Sequence, residues 1–136
     1  MKESVMDCKR HFSSWKIEDV VSSRNKLYRL ANVVRWSEFE KAFFSSWAGD
    51  NVVERLPIRL MAGLLMVKHM RRMTDEGLLC QFVENPYIQY FCGKEYFTIE
   101  EPCNVTELTD FRHSIGDQGL NLIAEEIFRV SDMVED

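Results

Sequence analysis

The chain has 136 residues, 46% of them hydrophobic and 29% charged, the profile of one compact domain that can bury a core without disulfides or a structural metal. No run of 18 apolar residues exists and the first 14 residues are polar, so neither a membrane-spanning helix nor a secretory leader is expected. The net charge of −5 divides unevenly, with +6 over residues 1–73 and −11 over residues 74–136, so the first half is suited to a polyanion and the second to water or a basic partner.

Helical periodicity dominates and no stretch alternates long enough for a sheet, so the sequence predicts an all-α fold, a compact multi-helix domain. Residues 1–26 read as a partly mobile arm with one apolar cluster, Trp15, Ile17, Val20 and Val21, able to dock. Residues 27–130 form the helical domain, and 131–136 an acidic tail. Ser37 as cap, Glu40 three residues later and Trp36 before the cap predict a helix with Phe39, Phe43, Phe44 and Trp47 inward, ending by Gly49. Asp50 to Leu56 is a linker, and Pro57 opens the next helix at its first position.

The segment Arg59 to Met70 is apolar on nearly every side, which marks a helix surrounded by others. Lys68, His69, Arg71 and Arg72 make its C-terminal end basic, favourably for the helix dipole. Thr74 caps a short helix to Val83, and Asn85 with Pro86 starts another that Gly93 stops. Lys94 to Cys103 reads as a loop. Asn104 or Thr106 caps a helix with Leu108, Phe111 and Ile115 inward, ended by Gly116, and a last helix runs from Asp117 to about Val130.

Catalytic patterns are missing: there is no GxSxG, no phosphate-cradling glycine loop and no cysteine with a motif-placed histidine. Cys8, Cys80, Cys92 and Cys103 include no CxxC pair, and His11, His69 and His113 lie at no zinc-ligand spacing from them. No metal and no cofactor are expected, and Cys80 and Cys92, among Leu79, Phe82, Tyr90 and Phe91, read as small buried hydrophobes of a reducing cytoplasm. Glu107, Asp110 and His113, three apart, are a solvated helix face before they are a ligand set. Three short helices, Thr74 to Val83, Pro86 to Cys92 and Thr106 to Ile115, form a helix-turn-helix-like trihelical part whose last member has a polar outer face.

Four blocks then carry a family resemblance: LYRLANVVRWSEFEKAF from Leu27, PIRLMAGLLMVKHM from Pro57, ENPYIQYFCGKEYF from Glu84 and PCNVTELTDFRHSIGDQGL from Pro102. In these the chain resembles the N-terminal domain of bacterial transposases of the insertion-sequence-five family, of the InsH-like type. The resemblance implies a helical region that recognises the terminal repeats of the element, placed before an RNase-H-like domain with an Asp, Asp, Glu metal site. That catalytic domain is not expected within these residues, so no strand transfer of the chain's own is expected. Where the family commonly carries a basic Arg, Lys, Arg run, this chain has Arg112, His113 and Ser114.

The expected function is thus a DNA-binding module in the bacterial cytoplasm with no small-molecule substrate. Thr106, Thr109, Arg112 and His113 are the candidates for base edges, and Arg55, Arg59, Lys68, Arg71 and Arg72 for phosphates. The alternative is a protein-interaction or oligomerisation module pairing with itself or with a full-length transposase, suggested by the acidic second half and by 7 Met, 9 Phe, 4 Tyr and 3 Trp.

Overall fold

The computed structural model describes residues 15–48 and 55–134. Among these residues six α-helices carry the fold: α1 (Lys26–Ala31), α2 (Trp36–Phe43), α3 (Ile58–Arg71), α4 (Asp75–Phe82), α5 (Pro86–Phe91) and α6 (Val105–Ser131). A short 3-10 turn, Ile17–Asp19, precedes them, and α2 winds on as a π turn, Phe44–Ala48. The all-α expectation holds: among the described residues the only extended pairing is a single antiparallel bridge between Lys16 and Tyr96.

The centre is α3. Every residue from Leu60 to Val67 is buried, and α2, α4 and α6 pack around it. An apolar surface on all sides forces this position, since each buried Leu or Met contributes about 2 kcal/mol only when neighbours cover it. Phe39, Phe43, Phe82, Phe91 and Phe111 complete the core, with Phe43 and Trp47 both edge-on to the Phe111 ring. Most of the aromatic residues are thus consumed by one core.

Local capping matches the sequence at three helices. The Thr74 hydroxyl accepts from the Gly77 amide, Asn85 from Tyr87 and Ile88, and Asn104 from Glu107, whose carboxylate returns a bond to the Asn104 amide. Each such cap is worth about 1 kcal/mol. Asn25 caps α1 in the same way.

At α2 the expectation of a Ser37 cap is corrected. The helix starts at Trp36 with Arg35 as N-cap and without a side-chain cap of its own. The Glu126 carboxylate, from α6, accepts the Arg35 amide at 2.7 Å and places an anion at the helix start. The Trp36 indole donates to the Ala31 carbonyl instead of stapling the turn. Pro57 also sits one residue earlier than expected, as the N-cap of α3 rather than its first member. The expected stop at Gly49 and the linker residues 50–54 lie outside the described residues.

Two helices meet at Gly116, as the sequence indicates. Gly116 has φ 65° and ψ −173°, so α6 consists of two arms, residues 105–115 and 117–131, joined by a kink. That backbone region is open essentially to glycine alone.

Before α1, Ile17 is fully buried, and bonds from Ile17 to Glu95 and from Phe97 to Trp15 tie residues 15–17 to the loop after α5. The same loop is pinned from inside by Gln89, whose amide donates to Phe82 and Thr98 carbonyls and accepts from the Thr98 amide. Of the expected acidic tail, Val134 is buried, and residues 135–136 lie outside the described residues.

Candidate nucleic-acid interface

The candidate phosphate contacts do not form one patch. Arg55 and Arg59 stand near the start of α3 and Lys68, Arg71 and Arg72 at its end, so Arg59 and Arg71 are about 18 Å apart along the axis. At the first end both guanidinium groups lie on aromatic faces: Arg55 is 4.5 Å from the Trp47 ring centre and Arg59 is 4.6 Å from that of Trp36. Burial lowers the Arg59 pKa, and its Nε has no hydrogen-bond partner. These two cations are packed against the molecule.

The other end of α3 is different in kind. Arg71 and Arg72 are exposed and have no ion-pair partner among the described residues. Arg72 closes the helix with φ 52° and ψ 52°, the left-handed cap position that glycine usually occupies. Its amide donates to the Lys68 carbonyl, and the Met73 amide donates to the same oxygen. A cation is therefore kept where backbone sterics favour glycine.

Two grooves flank this end. The larger, about 600 Å³, runs between α3 and both arms of α6, with Leu65, Leu120, Ile123 and Ala124 as floor and Lys68, His69, Arg72 and Arg112 as rim. The smaller, about 390 Å³, runs between α1, the same end of α3 and Ile127 of α6. His69 and Arg72 line both, so the basic end forms a ridge between them. Lys26 joins the smaller groove; nothing in the sequence linked a residue so far from Arg71 to this surface.

The four candidate base contacts separate as well. Thr106 and His113 are exposed on the outer face of the first arm of α6, beside exposed Asp110. Arg112 turns the other way. Its guanidinium holds both Asp75 carboxylate oxygens, at 3.1 and 2.8 Å, and donates to the Thr109 hydroxyl at 3.2 Å. Lys68 adds a weaker contact to Asp75 at 3.5 Å. The Arg112 hydrogen bonds hold the Asp75 carboxyl below its usual range, and Asp75 in turn raises the Arg112 pKa. Arg112 and Thr109 thus belong to a link between α6 and α4.

Chemically, the outer face of the first arm offers one histidine and a threonine among acidic groups, and the end of α3 offers freely placed cations. Among the described residues no three His, Cys, Asp or Glu side chains gather closely enough to hold a metal, and Glu107 is engaged in its capping box. Cys92 and Cys103 are buried, and burial pushes both thiols up, Cys103 to about 11, which leaves them as packing groups. No helix of the described residues is long and apolar enough to cross a membrane.

Comparison with known proteins places the chain. An uncharacterized protein, ORF8 in the nfe locus of Rhizobium meliloti, is 36% identical over 116 residues, covering 85% of this chain and 54% of that relative. The chain spans about half the length of this curated relative. No solved structure matches. The family model described as Transposase domain (DUF772) matches residues 15–114, from the docked segment before α1 through the first arm of α6. The chain belongs to this family of transposase domains.

Proposed function

We propose that the chain is the DNA-binding N-terminal module of an insertion-sequence transposase, that it recognises the terminal repeats of its element in the bacterial cytoplasm, and that strand transfer falls to a different part of the machinery. The observation that carries this reading is the exposed cationic end of α3, where Arg71 and Arg72 stand unpaired among the described residues and Arg72 holds a strained left-handed backbone. Strain retained at a surface position is an indication of use, because nothing in the packing requires an arginine there.

In this reading Arg71, Arg72, Lys68 and His69 meet phosphates, and α4, α5 and the first arm of α6 act as the helix-turn-helix-like unit. Thr106 and His113 are the side chains of that arm free to approach base edges. Arg112 acts as a positioning residue, holding the arm through Asp75. Arg55 and Arg59, stacked on tryptophans, stay outside the contact.

The test is a fluorescence-anisotropy titration with the terminal repeats flanking the element and with scrambled duplex, at about 50 and 200 mM salt. Tighter binding to the repeats that weakens steeply with salt is expected. Equal affinity for both duplexes removes end recognition, and binding to neither removes the DNA reading.

A further inference from the structure

Phe128, on the second arm of α6, is the most exposed large apolar side chain among the described residues, at 77%. It is not an isolated surface residue. Leu120, Ala124 and Phe128 follow one another four apart, which places them in one stripe along the helix. Leu120 and Ala124 form part of the floor of the larger groove, and Phe128 stands one turn beyond it. The face therefore carries an aromatic knob beside an apolar hole.

Charge divides the same way. The knob is flanked on its own helix by exposed Glu125 and Asp132, and the single cation of this arm, Arg129, is bound to Glu126 and the Val33 carbonyl. The hole is rimmed by Lys68, His69 and Arg72. Knob and groove carry opposite charge, and one surface of one molecule holds both. A patch that carries both halves of a contact fits a second, two-fold-related copy of itself.

We infer that two copies of this chain associate through the second arm of α6. An antiparallel crossing near Ala124, a side chain small enough for close helix approach, sets Phe128 against the partner subunit's Leu120 and at the mouth of the partner's groove. Glu125 and Asp132 then face the partner's Arg72 and the partner's Lys68. The contact uses the larger groove and leaves Arg71 on the smaller one; it shares Arg72 and Lys68 with the proposed phosphate contact, so mass is measured without DNA, where it tests the association alone.

Light scattering across about 1 to 200 µM chain is the test, since a self-association shifts with concentration. The expected result is a mass rising from 16.0 kDa toward twice that value. Phe128→Glu should hold the single-chain mass throughout with unchanged circular dichroism and thermal midpoint. Phe44→Glu, at an exposed position on the π turn, should leave the dimer intact. Arg72→Glu should weaken association at least tenfold, and Arg72→Glu/Glu125→Arg should restore it.

A wild-type chain that keeps the single-chain mass at every concentration overturns the inference. If that monomer also loses stability on Phe128→Glu, the stripe is covered by another segment of the same chain. A dimer that survives Phe128→Glu, or one that Arg72→Glu leaves unchanged, equally overturns it.

Discussion

Arg112 grips both carboxylate oxygens of Asp75, 37 residues away in sequence, and so fastens the first arm of α6 to the first turn of α4. The Asp75 side chain is 14% exposed, and its position at a helix start is itself favourable to an anion. Truncating Arg112 leaves this carboxylate with Lys68 alone, 3.5 Å away. Arg112→Ala should therefore cost about 1–2 kcal/mol of folding stability, in addition to any change in DNA preference. A double-mutant cycle with Asp75→Ala, read by urea denaturation, should return a coupling of about 1 kcal/mol. Strict additivity would mean that the pair does not hold the two helices together.

Glu126 is the most densely bonded carboxylate among the described residues. With its side chain 5% exposed, it accepts from the Arg35 amide and guanidinium and, through both oxygens, from Arg129. Burial alone would raise its pKa, but the hydrogen bonds from Arg129 and Arg35 overcome that and hold it at about 2. Because the folded value lies below the unfolded value near 4.5, the contribution is fully present above about pH 4.5 and is lost as pH falls toward 2. Glu126→Gln should destabilise by about 2–4 kcal/mol at neutral pH. Urea midpoints taken from pH 7 to pH 2 should show wild type and variant converging at the acid end, whereas a constant gap would mean that the carboxylate is not titrating in this window.

Stability and binding should move in opposite directions at Arg72. The left-handed backbone there is unfavourable to arginine and free to glycine, so Arg72→Gly should stabilise α3 by about 0.5–1 kcal/mol. The same change removes one exposed cation from the proposed phosphate contact, which should reduce the slope of log affinity against log salt by about 1. A differential scan and two anisotropy titrations decide it. A raised midpoint with an unchanged salt slope would exclude Arg72 from the phosphate contact.

The sequence revealed what local bonding decides. Thr74, Asn85 and Asn104 cap their helices because a short polar side chain and the amides two or three residues on are enough, and the apolar ring of residues in α3 could only be central. Ser37 failed as a cap for the opposite reason: the group that takes the helix start, Glu126, comes from 91 residues away. The pairing of Arg112 with Asp75 is invisible to helical spacing, and the stacking of Arg55 and Arg59 on Trp47 and Trp36 leaves no mark in composition. The basic end of α3 was legible as a charge run. That it forms a ridge between two grooves was not, since one groove needs both arms of α6 and the other needs α1.

Gly116 sets the angle between those arms, and its substitution isolates backbone cost from packing cost. A Cβ built on Gly116 meets nothing within 4 Å, so an alanine there has room. Its φ of 65° with ψ near 180° is nevertheless a conformation that a side chain makes costly by about 1–3 kcal/mol. Gly116→Ala should lose that much in urea denaturation, while Gln118→Ala, at an exposed position two residues on, should stay within about 0.5 kcal/mol. Relieving the strain by straightening α6 would shift Leu120 and Ala124 relative to Arg112, across the larger groove that the two arms build together. Gly116→Ala should then weaken self-association along with stability, although residue 116 lines neither groove. A variant as stable as wild type would mean that the kink is imposed by packing of the two arms and that glycine is not needed to make it.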